Sequence, residues 1–134
     1  MTKQELQQYK KIEREVRRLR EQMEEMRLNM VAPSIPQLTG MPSAQGVSDK
    51  VFKAVSRYLE ASEKYANKVD ELTNELYYIE ACIDHLSDPN ERTLLRLRYI
   101  SGMKWENICV EMGYEWAQTH RIHADALIHI LQIK

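Results

Sequence analysis

The chain has 134 residues, 43% of them hydrophobic and 29% charged, which is the composition of a folded protein rather than a disordered one. Its formal net charge of −1 excludes a nucleic-acid binder that works by bulk positive charge. No apolar run approaches the roughly 18 residues of a membrane span.

The opening Met1-Thr2-Lys3-Gln4-Glu5 leads into a charged segment and carries no secretory pattern, so a cytoplasmic location is expected. Cys82 and Cys109 read as reduced core thiols rather than a disulfide. The charge is spread unevenly: eight Lys/Arg against six Asp/Glu in residues 1–31, five against eight in 32–85, and six against six in 86–134. No segment is basic enough to hold DNA by charge alone. DNA binding by this chain therefore calls for dimerisation or a partner protein.

Residues 1–30 carry Tyr9, Ile12, Val16, Leu19, Met23, Met26 and Met30 at alternating steps of three and four. That is a heptad seam on a helix otherwise filled with good helix formers. The seam must bury itself, on its own chain or on a second copy. Residues 31–47 hold Pro33, Pro36, Pro42, Gly40 and Gly46, which break helices, and form a linker or a loop packed through Ile35, Leu38 and Met41.

Ser48 is a good N-cap, and Asp49 suits a helix start. From there a second seam runs Val51, Val55, Tyr58, Ser62, Tyr65, Val69, Leu72, Leu76, Ile79, Ile83, Leu86. A helix over 48–86 would be roughly 55 Å long, too long to bury itself on a small domain. It needs the first helix, antiparallel across the Pro-rich stretch, or a second copy, and both are expected: a helical hairpin that also dimerises. The residues expected to join copies are Val55, Tyr58, Tyr65, Val69, Leu72, Leu76, Ile79 and Ile83, with a dimer favoured. Pro89 keeps the long helix from running past about Leu86.

Residues 87–134 form the last unit. Asp88 caps a helix that has Pro89 in its first position and Leu94, Leu95, Leu97 and Tyr99 as its apolar residues, and Ser101-Gly102 ends it. Trp105 to Met112 is a short helix, with Trp105, Ile108, Cys109 and Met112 inward. Gly113 supplies a sharp turn. A final helix from about Glu115 to Leu131 turns Thr119, Ile122, Ala126, Leu127 and Ile130 inward. The spacing of Cys109, Gly113, Thr119 and Ile122 is that of a helix-turn-helix, or of a three-helix bundle without a DNA role. The fold class is all-α: a long helical hairpin or coiled coil followed by a helix-turn-helix bundle.

The stretch from Leu86 to Leu131 resembles region 4 of bacterial sigma factors. Arg92, Leu95, Leu97, Arg98, Tyr99, Gly102, Trp105, Ile108, Gly113, Arg121, Ile122, His123, Ala126 and Leu127 carry the likeness. With its helical N-terminal part and Pro-rich linker, the chain also looks like the small phage transcriptional regulators of the RinA/ArpU type. The resemblance implies a phage late-gene activator that binds double-stranded DNA as an oligomer, with host RNA polymerase as a second partner. It places Trp116, Ala117, Gln118, His120 and Arg121 in the major groove and makes Arg92, Arg96, Arg98 and Lys104 phosphate contacts. Glu115 departs from the pattern, which has Ser or Thr there, and Asp125 adds a second negative charge to the same helix.

Two other readings use the same residues: a small-terminase-like DNA-packaging subunit built as a ring, and an interaction module that binds polymerase without touching DNA. Cys82 with His85 and His120 with His123 could suggest zinc, but they read better as a small residue beside the seam (Cys82), a helix-end cation (His85), a recognition-face residue (His120) and a helix-surface or DNA-contact residue (His123). No cofactor is expected. With no phosphate-binding glycine loop and no supported Ser-His-Asp arrangement, an enzyme is not expected either.

Overall fold

The computed structural model describes residues 1–31 and 44–133, without the side chains of residues 30, 31 and 44–48. The chain is all-α, with no strand among the described residues. Helix α1 spans Lys3–Val31 and α2 spans Ala44–Asp84. Helix α3, Pro89–Leu95, continues into a π turn at Arg96–Ile100; α4 is Trp105–Met112 and α5 is Trp116–Leu131. Two compact units result, Met1–Arg14 with Thr73–Lys134 and, separately, Glu15–Leu72.

Helix α2 starts at Ala44, so Ser48 lies inside it rather than capping it. Residues 44–47, assigned to the linker by their glycine and the prolines before it, are helical; Gly46 costs the helix only about 1 kcal/mol against alanine. The expected packing of Ile35, Leu38 and Met41 falls outside the described residues.

In the first unit, Leu6 and Tyr9 of α1 join Ile79, Cys82 and Ile83 of α2, Leu86, Leu94 and Leu95 of α3, Ile108 of α4, and Ile122, Ala126 and Ile130 of α5 in one buried cluster. A boundary at residue 87 therefore cuts through a core. The three short helices bury their apolar stripes against the first turns of α1 and the last turns of α2. Leu6, fully buried, extends the α1 seam one step before Tyr9. The Tyr9 hydroxyl donates to Glu80 of α2, and burial first, then this carboxylate, raises the tyrosine's pKa.

In the second unit, Val16 and Leu19 of α1 and Val69 and Leu72 of α2 are buried. Met26 and Asn29 share a groove with Ala54, Arg57, Tyr58 and Ala61. The higher-numbered part of α1 thus faces lower-numbered residues of α2, as a helical hairpin requires. Of the residues expected to join copies, Val69, Leu72, Ile79 and Ile83 are buried within the single chain, Tyr58, Tyr65 and Leu76 are half-buried, and Val55 is exposed. Burial fades toward the start of α2, where Val51, Phe52 and Leu59 are also exposed.

The helix ends follow the local chemistry. The Asp88 carboxylate accepts from the Asn90 amide at 2.8 Å, with Pro89 in the first turn. Gly113 has φ +72, and its amide donates to the Cys109 carbonyl at 3.0 Å, closing α4 in a conformation disfavoured for residues with a Cβ. Glu91 is buried, and its two carboxylate oxygens lie 2.7 and 3.0 Å from His129 Nδ1 on α5. Removing the imidazole strands a buried acid. His129→Ala is therefore expected to cost about 1–3 kcal/mol, read as a lower midpoint in urea unfolding; an unchanged midpoint would show that the pair holds nothing.

Candidate nucleic-acid interface

Helix α5 is held by its inner face. Thr119, Ala126 and Ile130 are fully buried and Ile122 nearly so. The three-residue connection Gly113–Glu115 fixes where the helix starts. Its outer face presents Trp116, Ala117, Gln118 and Arg121, all exposed, which is where the sequence placed them. Glu115 occupies the N-cap position with extended backbone but makes no side-chain cap hydrogen bond. Asp125 is exposed farther along the helix.

His120 sits differently from that outer set. Its ring lies 4.4 Å from Trp105 and 4.4 Å from Trp116, centroid to centroid. Its Nε2 is buried with no hydrogen-bond partner among the described residues. This tilted ring contact with Trp105 ties the start of α5 to the start of α4.

His123 is not a surface residue. It is half-buried, and its Nε2 lies 2.8 Å from the Tyr99 hydroxyl. Burial, with Lys3, His120 and Arg98 adding to it, pushes its pKa down to about 4. The ring is therefore neutral at pH 7 and carries no charge to a phosphate. Tyr99 is shifted upward by burial.

The arginines of α3 and its π turn are occupied by the protein. Arg92 Nη1 donates to the Leu86 carbonyl at 2.6 Å, spanning the α2–α3 connection. Arg96 pairs with Asp84. Arg98 Nη1 donates to the Met103 carbonyl at 3.0 Å, and the guanidinium carbon lies over the Trp105 ring, 4.8 Å from its centroid. The π turn, closed by the Ser101 amide on the Arg96 carbonyl at 2.9 Å, inserts one residue into the helical register. It brings Arg98 and Tyr99 to Trp105 and His123. Lys104 is exposed at the N-cap of α4.

Of the nine residues assigned to DNA, Trp116, Ala117, Gln118, Arg121 and Lys104 are exposed, while Arg92, Arg96, Arg98 and His120 hold the unit together. The sequence reading missed the buried Glu91–His129 pair and the aromatic–imidazole cluster. The i, i+3 spacing of His120 and His123 was visible, but the π turn that brings Tyr99 to His123 was not. Cys82 is buried, Cys109 half-buried, and both are free thiols. Among the described residues, no cluster of three His, Cys, Asp or Glu could hold a metal, and no helix is long and apolar enough to cross a membrane.

Because His123 binds its proton more weakly when folded, the unfolded chain takes it up first as pH falls. The contribution of His123 to stability is complete above the ordinary histidine range and is lost as pH drops from about 6.5 toward about 4. The His123→Gln variant should lose less melting temperature than wild type between pH 7 and pH 4.5, both followed by circular dichroism. Equal losses would mean that His123 is not held neutral by the fold.

Nothing among the curated proteins or the solved structures matches the chain. Residues 43–130 match a family of proteins of unknown function, DUF1492. That span takes in α2 to α4 and nearly all of α5, more than half of the sequence, and the chain belongs to the DUF1492 family.

Proposed function

We propose that this protein is a DNA-binding transcriptional regulator of the phage late-gene activator type, acting as an oligomer through α4, its glycine turn and α5. The observation that carries this reading is the two-sidedness of α5. Thr119, Ile122, Ala126 and Ile130 anchor it, while Trp116, Ala117, Gln118 and Arg121 are exposed away from that inner face, Trp116 with its ring against His120. A helix fixed by one face and presenting a planar donor fork, an amide and an indole on the other suits a major groove. Arg121 suits guanine or a phosphate, Gln118 adenine, and Trp116 a thymine methyl. Lys104, at the N-cap of the preceding helix, suits a flanking phosphate.

One copy offers few cations, which is why the reading includes self-association. The exposed Val51, Phe52, Val55 and Leu59 on α2 support it, since this apolar stripe is left over after the hairpin closes. A second reading, an interaction module that binds RNA polymerase without DNA, is favoured by the exposed apolar residues Val110 on α4 and Trp116 and Ile128 on α5.

A mobility-shift assay at low salt against promoter-bearing DNA from the host or phage separates the two. Wild type should shift the DNA, and Arg121→Ala should bind roughly tenfold or more weakly, the loss of about 1–3 kcal/mol expected for a groove-reading arginine. An Arg121→Ala variant that binds as well as wild type would remove α5 from the interface. Polymerase binding without any DNA shift would favour the second reading.

A further inference from the structure

A cleft of about 530 Å³ opens in the first unit between the first turns of α1, the end of the π turn and the beginning of α5. Lys3, Gln7 and Lys10 of α1 line one side, spaced so that they share a helix face. Arg98, Tyr99, His120 and His123 line the other. The nine lining residues include three permanent cations, Lys3, Lys10 and Arg98, and no carboxylate, in a chain whose net charge is −1. The α1 residues lie before the segment that matches the family. Nothing in the likeness to sigma region 4 involves them.

The Lys10 stem packs against the Gly102 backbone: a Cβ there would stand 3.0 Å from Lys10 Cε, a contact that the flexible end of the lysine can relieve. Gly102 also has φ +72, a conformation that side chains disfavour. Arg98 is held by the Met103 carbonyl and the Trp105 ring, which leaves most of its five donors unused. Lys10 pairs with Glu13 at 3.3 Å. A part-exposed pair of that kind is worth at most about 1 kcal/mol and leaves two ammonium protons unassigned. His120 Nε2 has no hydrogen-bond partner among the described residues.

We propose that this cleft is a phosphate site: Lys3, Lys10 and Arg98 receive the oxyanion of a backbone phosphodiester beside the groove entered by α5. The first helix then extends the DNA interface beyond the recognition helix. The source of the phosphate, though not the chemistry of the site, rests on the DNA reading above. Free inorganic phosphate offers the same oxyanion, and the test distinguishes the two.

The test uses the full chain and its Lys3→Gln/Lys10→Gln double variant. Glutamine keeps helix propensity, and equal unfolding midpoints confirm an intact fold. Binding to a DNA duplex is measured over a salt series. Inorganic phosphate is titrated separately in a phosphate-free buffer, following the ring resonances of His120 and His123. For a DNA phosphate, the double variant binds the duplex at least tenfold more weakly at low salt. The slope of log affinity against log salt then falls by up to about two. If wild type ignores DNA but phosphate shifts both histidines, and the double variant abolishes the shifts, the site takes free phosphate and the DNA reading falls instead. Unchanged duplex affinity and slope, with phosphate shifts absent or equal in the two proteins (an adventitious ion only), would overturn the proposal while leaving the DNA reading standing. Absence of both kinds of binding in wild type would overturn both.

Discussion

The three C-terminal helices have seven, eight and sixteen residues, and none has a core of its own. Helices this short are marginal in water unless a neighbour covers their apolar stripe. The constraint on which the C-terminal unit depends is the shared burial of Leu6 and Tyr9 from α1 with Ile79 and Ile83 from α2 against Leu94, Leu95, Ile108 and Ile130. The two ends of the sequence thus make one core. The face of α5 left outside is then fixed by packing, and Gly113 and the Glu91–His129 pair set where the helix starts and how it is held.

This arrangement also explains how a nearly neutral chain can offer a positive surface. Arg92, Arg96 and Arg98 are each engaged by carbonyls, a carboxylate or a ring of the same unit. Their stems and donors bridge the turns around α3. Acids are drawn into the same work, with Glu91 buried and Asp88 capping. The cations left for an outside partner are fewer than the sequence suggests, but Lys3, Lys10 and Arg98 share one cleft that no carboxylate lines.

Much of this was legible in the sequence because local rules dominate there. Asp88-Pro89 spells a helix start, Gly113 a left-handed helix end, and the spacing of Thr119, Ile122, Ala126 and Ile130 an inner face, and the structure has all three. The heptad seams located α1 and α2. What stayed hidden depends on tertiary contact. A seam residue reads the same whether its partner is the same chain or another copy, so Val69 and Leu72 could not be assigned to the hairpin in advance. Arginines on a helix also look free until the carbonyls they meet are known. The π turn has no simple sequence signature, yet it brings Tyr99 to His123 and Arg98 to Trp105.

The central claim is that the outer face of α5 meets DNA. The most direct measurement is an amide NMR titration of the full chain with a duplex selected from a randomised pool at low salt. The largest shifts are expected at Trp116, Ala117, Gln118 and Arg121, with Lys104 beside them and the amides of α2 between Val51 and Leu59 unmoved. A pool that yields no enriched sequence, or shifts that avoid the start of α5, would contradict it.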